Sequence, residues 1–133
     1  AAFDHSNVVA LLATPDIPAL KNLKLTLETL DLIGFSRDRL KIVLNRSDSK
    51  VGLSLSEVEK TLRAPIVAQI PSSRDVPAST NRGVAIVSDD PKSPVSLAIK
   101  GFIDTYVTAQ STDEAIPSQM RTDRRNRRWR RNP

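Results

Sequence analysis

The six residues Lys41-Ile42-Val43-Leu44-Asn45-Arg46 constrain the fold more than any other stretch of this chain. Three consecutive apolar residues follow a basic one and give way to an Asn-Arg pair and the polar loop Ser47-Asp48-Ser49-Lys50. A short apolar run bounded by turn signals reads as a strand covered on both faces. Open α/β sheets bind ligands just beyond the carboxyl ends of such strands. Asn45 and Arg46 stand at that edge, so any chemistry is expected to pass close to Asn45.

The flanks repeat one theme. Asn7 to Ala13 (NVVALLA) is nearly all apolar and suits an interior parallel strand. Pro15 and Pro18 break it, Asp16 is placed to cap a helix, and Leu20, Leu23, Leu27 and Leu30 give that helix one apolar face. Leu25 and Leu32 are expected to widen the face, and Gly34 to end the helix after Ile33. These leucines lack a sustained heptad and read as core, not as a zipper.

After the central run, Ser54 and Glu57 form a capping box ahead of Leu55, Val58 and Leu62. Ser54 is a cap and not a nucleophile, since no base can be placed beside it. Residues 65–70 (PIVAQI) read as a third strand and 72–83 as polar chain holding one short helix. Val84 to Val87 reads as a short edge strand. Asp89-Asp90, next to Pro91, reads as a turn in preference to a metal site. A last helix should carry Val95, Ala98, Phe102, Tyr106 and Ala109 on one face, with Ile99, Ile103 and Val107 beside them.

Strand and helix thus alternate, and short crossovers force a parallel sheet with right-handed connections. The expected fold is α/β, a three-layer, mostly parallel doubly wound sheet of three or four strands. Residues 1–110 form the domain and 111–133 a disordered Arg-rich tail. An apolar strand that opens a chain leaves a bare edge. A missing upstream half, or a second copy of the chain, is expected on Asn7–Ala13.

Composition narrows the function classes. The absence of Cys removes disulfides, thiolate metal sites and cysteine nucleophiles, and the one His, His5, has no partner of its kind. No apolar run reaches the ~20 residues of a membrane span and no signal-peptide pattern opens the chain. The expected location is the cytoplasm, either free or held peripherally at the inner face of the membrane. The net charge of +5 resides in the tail: seven Arg and one Asp between Arg121 and Pro133 leave −1 on the rest. Those guanidiniums, with Trp129, suit the phosphates of nucleic acid or of anionic membrane, or simply a solvated end. The chain opens with Ala1 and holds its only Met at Met120. A trimmed initiator or a truncated reading would each explain this.

Four segments, in order, carry a family likeness: Thr14-Pro15-Asp16-Ile17-Pro18-Ala19-Leu20-Lys21-Asn22; the stretch from Leu44 to Ser54 (LNRSDSKVGLS); Ile70-Pro71-Ser72-Ser73-Arg74-Asp75-Val76-Pro77; and Asn81-Arg82-Gly83 with Asp89 to Pro94 (DDPKSP). Together they resemble the MinD/ParA-like P-loop ATPases, most of all their pilus-assembly branch (CpaE/TadZ-like proteins of Flp-type, tight-adherence pili). The resemblance covers Phe3 to Ala109. It implies a C-terminal half that carries the adenine side of an ATP site. Asn45 would hydrogen-bond the adenine edge, because an amide offers a donor and an acceptor in one plane. Pro71, Ser72 and Ser73 would hold the base through their backbone, and Arg74, Asp75 and Val76 would flank the base or a dimer partner. Arg46, beside Asn45, is the remaining candidate at the site.

The likeness is incomplete. The phosphate loop of this family is Gly-rich with a signature Lys, and no Gly-Lys-Ser/Thr occurs here; Gly34, Gly52, Gly83 and Gly101 are isolated. Mg would be bound only in the complete protein, which the resemblance expects to be a homodimeric ATPase working with pilus machinery. The chain alone is expected not to hydrolyse ATP. The competing expectation is a non-catalytic dimerising adaptor whose tail, Arg121 to Arg131, binds nucleic acid or anionic membrane.

Overall fold

A computed structural model of the chain describes residues 5–50 and 52–108. Three parallel strands form the sheet: β1 (Val9–Ala13), β2 (Leu40–Asn45) and β3 (Ile66–Ile70), in the order β1-β2-β3. Helix α1 (Ile17–Leu32) crosses from β1 to β2 and α2 (Leu55–Leu62) from β2 to β3. Beyond β3 come α3 (Asp75–Asn81), a single turn α4 (Ile86–Asp89) and α5 (Pro94–Ile103). A π-helical turn, Asp104–Thr108, continues α5.

β2 is covered on both sides, as its composition requires. Leu40, Ile42 and Leu44 join Ala13, Leu20, Leu23, Leu27, Leu30, Val58 and Leu62 in one core beneath α1 and α2. Side chains alternate along a strand, so Val43 points to the opposite face, where it is also buried. There α5 packs on β3 and buries Val95. The result is a three-layer α/β sandwich.

Local chemistry sets the element ends. The Asp16 carboxylate accepts the Ala19 N–H at 2.9 Å, with Pro18 inside the first turn of α1. Gly34, at φ 73°, follows the end of α1. The capping box of α2 closes, with the Ser54 N–H donating to Glu57 at 2.8 Å and the Glu57 N–H donating to Ser54 Oγ at 3.4 Å. Between β2 and β3 the ladder slips: Ile42 lies opposite Ile66 but Val43 lies opposite Ala68, so Val67 is an extra residue.

Three expectations are corrected. Leu25 and Leu32 do not widen the core face; they are 63% and 88% exposed, because only the narrow stripe of Leu20, Leu23, Leu27 and Leu30 reaches the sheet. The 84–87 stretch is not a strand. The carbonyls it would offer a ladder accept hydroxyls instead, Val84 from Ser79 and Ile86 from Ser96, and the chain turns into α4. The first strand leaves the bare edge expected of it: among the described residues only β2 pairs with it, and Leu12 is 61% exposed. On the last helix, Ile103 and Val107 are exposed and stand outside the packed face. Ala109 and the expected tail lie outside the described residues.

Among the described residues no helix is long and apolar enough to cross a membrane.

Replacing Leu44, 1% exposed, by Ala should cost about 2–5 kcal/mol in urea unfolding. The same change at Leu32 should stay within about 0.5 kcal/mol. Equal losses at the two positions would contradict this packing.

Candidate functional site

Parallel strands end together, and here the loops after all three strands meet. Leu53 N–H donates to the Pro15 carbonyl at 2.9 Å, tying the loop after β2 to the loop after β1. Gly52 makes this possible, since a Cβ there would stand 2.7 Å from the Pro15 oxygen. On the other side, the Ile70 carbonyl accepts the Ser47 N–H at 3.1 Å, and Asp48 Oδ1 accepts the Ser72 N–H at 2.7 Å. The Ser72 backbone and side chain, helped by the Arg46 charge, hold the Asp48 carboxyl below its usual range.

Beside these latches lies a cleft of about 730 Å³ at the carboxyl ends of the strands. Asn45, Arg46, Pro71, Ser72, Ser73 and Arg74 line one part of it. Leu12, Ile70, Val76, Pro77, Ile86, Val95 and Ile99 supply apolar walls. The size is that of a small-molecule site. No Asp or Glu contributes to its lining, and two arginines do.

Asn45 is half-buried, and its Oδ1 accepts the Arg46 N–H at 3.0 Å. Among the described residues nothing accepts from its Nδ2, so one edge of the amide is left to the cleft. Arg46 has φ 55°, a left-handed conformation that costs a non-glycine residue about 1 kcal/mol or more. It borders both the cleft and a smaller polar niche of about 180 Å³ formed by Thr14, Pro15, Asp16, Ser49 and Gly52. In that niche Asp16 is held below the usual carboxylate range by the Thr14 hydroxyl and the Ala19 N–H.

Of the six residues singled out in the sequence, five line the cleft and Asp75 does not. Asp75 instead starts α3, its N–H donating to Ser73 Oγ and its carboxylate accepting from the same hydroxyl, both at 3.0 Å. The Ser72 N–H, expected to face a base, is taken by Asp48; the Ser73 N–H and the carbonyls of Pro71 and Ser72 make no hydrogen bond among the described residues. Sequence reasoning missed the apolar wall of Ile86, Val95 and Ile99, which only tertiary packing brings to the strand ends. Asp89 pairs with Arg82, and among the described residues no group of three His, Asp or Glu side chains could hold a metal.

A parallel sheet with helices on both faces and its cleft at the strands' carboxyl ends is an open α/β fold. The chain is similar to the septum site-determining protein MinD of Thermotoga maritima, at 29% identity over 83 residues; the match covers 59% of this chain and 31% of that relative. A crystal structure of a ParA family ATPase from Chlorobium tepidum matches with a TM-score of 0.70 at 25% identity, over 77% of this chain and 43% of the other. The MinC:MinD cell division protein complex of Aquifex aeolicus matches at 0.63 and 26%, over 84% and 45%. The similarity to MinD and ParA proteins thus agrees with the family likeness carried by the motifs. No family model matches the chain. It spans about a third of the length of the curated relative and under half that of the solved ones.

Two changes test the joined loops. Gly52→Ala should destabilise by about 1–3 kcal/mol, because the Pro15 oxygen is backbone and cannot rotate away. The folded-state pKa of Asp48 is depressed, so its contribution is full above the unfolded value and lost as pH falls through the folded one. The Ser72 amide resonance should therefore titrate below the ordinary carboxylate range, and Asp48→Asn should abolish that titration.

Proposed function

We propose that this chain is the base-side half of an ATP site in a MinD/ParA-like ATPase. The observation that carries the reading is the 730 Å³ cleft, where the Asn45 amide edge sits among apolar walls at the end of the central strand. A planar base fits such walls, and an amide can both donate to and accept from its edge. Asn45 and the free backbone groups of Pro71, Ser72 and Ser73 would orient the base. Arg46 and Arg74 favour a ligand with negative charge. Asp75 would hold the loop at the base through Ser73.

The residues suit the base and not the rest of the nucleotide. The sequence has no Gly-Lys-Ser/Thr loop for phosphates, and among the described residues no metal-binding cluster stands ready for Mg. Phosphates and Mg would be held by an upstream half seated against β1, where Leu12 is exposed. ATP hydrolysis belongs to that complete protein, which we place in the pilus-assembly branch on the strength of the four motifs. It would act as a homodimer, recruiting pilus machinery at the cytoplasmic face of the membrane. The tail from Arg121 to Arg131 would supply anion contacts, to membrane or to nucleic acid.

The coding DNA upstream of Ala1 tests this directly. An open frame with a Gly-rich Lys-Ser/Thr loop, followed by an Asp after a strand, is expected. A start codon immediately before Ala1 would overturn the reading. In the complete product, Asn45→Ala should weaken ATP binding about tenfold, a loss of ~1.4 kcal/mol, in a fluorescent-nucleotide titration.

A further inference from the structure

Helix α1 carries a second apolar stripe that the fold leaves uncovered. Leu20, Leu23, Leu27 and Leu30 face the sheet. At about 100° per residue, Leu25 stands about 180° round the helix from the middle of that set, and Leu32 about 160°. Both of them, and Ile17 at the start of the helix, are more than half exposed. A single exposed leucine calls for no explanation. A line of large aliphatic side chains does, because a continuous exposed apolar strip marks an interaction surface. Lys21 and Glu28 complete the line: residues 17, 21, 25, 28 and 32 follow at steps of four, four, three and four, which keeps them on one face.

The charges in this stripe decide what can cover it. Lys21 lies four residues inside one end and Glu28 four residues inside the other. Their side chains make no hydrogen bond or ion pair among the described residues, whereas the nearby Asp31 is taken by Arg37. Read from either end, the stripe has an aliphatic residue, a charge, Leu25, the opposite charge and an aliphatic residue. Such a stripe is complementary to its own antiparallel copy. Ile17 meets Leu32 of the second copy, Lys21 meets Glu28, and the two Leu25 side chains lie together at the two-fold axis. A parallel copy would set Lys21 against Lys21 and Glu28 against Glu28.

We propose that the outer face of α1 is a contact between two copies of this chain, packed as an antiparallel helix pair. Every contact then occurs twice, as a two-fold axis requires. Such helices cross at about 20° with their axes roughly 8–10 Å apart. Ile17, Leu25 and Leu32 supply the apolar burial. The Lys21–Glu28 pairs at the rim add little affinity but fix direction and register. Antiparallel alignment also brings opposite ends of the two helix dipoles together. With 16 residues α1 is about 24 Å long, so the contact is small and the dimer weak. The surface is separate from the cleft and does not depend on the nucleotide reading. An upstream half that continued the sheet past β1 would lie beside α1 and leave Leu25 and Leu32 facing outward.

Sedimentation velocity of the full chain at rising concentration tests the contact. Reversible dimerisation is expected below about 1 mM. K21E and E28K should each weaken it at least tenfold, since each sets like charges together twice. Mixed in equal amounts, the two variants should pair with each other at least as tightly as the natural chain does with itself, because both contacts then join opposite charges. K21E/E28K in one chain should restore self-association, and L25D should abolish it. All these positions are exposed, so thermal unfolding of the dilute variants should match that of the natural chain. The proposal is overturned if the natural chain stays monomeric throughout that range, if the single variants associate as it does, or if their mixture does not pair. It is equally overturned if L12K disperses the dimer while L25D does not, which would assign the contact to the edge of β1.

Discussion

Everything in this fold depends on burying β2 from two sides at once. Leu44 and Ile42 need α1 and α2; Val43 needs the layer that α5 begins. Neither layer can be removed without exposing aliphatic side chains, and burial of each is worth roughly 1.5–3 kcal/mol. The crossovers follow from this requirement, because parallel neighbours can be joined only by chain that passes back over a face. The loops at the carboxyl ends then have no choice but to gather round Asn45.

Those loops are joined by a few specific contacts and not by bulk packing. Gly52 lets one loop lie on Pro15, and Asp48 reaches across to the Ser72 N–H. The strain at Arg46 is local, and the tertiary contacts on either side of it hold it in place. Such an arrangement positions side chains on the ends of buried strands, which is where rigidity is greatest, while leaving the loop surfaces open to a ligand.

What could be read from the sequence was the information stored locally. Asp16, Gly34 and the Ser54–Glu57 pair announce helix ends because caps act over three or four residues. The central strand was legible because three apolar residues between turn signals have few other uses. Leu25 and Leu32 were misread because composition records that a residue is apolar, not whether a neighbour exists to cover it. The 84–87 stretch failed for a similar reason: its carbonyls are satisfied by Ser79 and Ser96, partners 5 and 10 residues away that no strand periodicity reveals. In the cleft, the polar rim around Asn45 and Ser72 lies on motifs, whereas Ile86, Val95 and Ile99 arrive from α4 and α5 and are visible only once the chain is folded.

The slip between β2 and β3 acts as a length standard. With Val67 as a supernumerary residue, Asn45 stands level with Ile70. An unbroken register would set it against Gln69 and carry Pro71 and the serines after it about 3.3 Å further along the strand axis. One amino acid inserted at the far end of a strand therefore calibrates how deeply a loop five residues away reaches over the mouth of the cleft. Chains of this architecture could retune their ligand without altering a single residue that touches it, simply by gaining or losing that insertion.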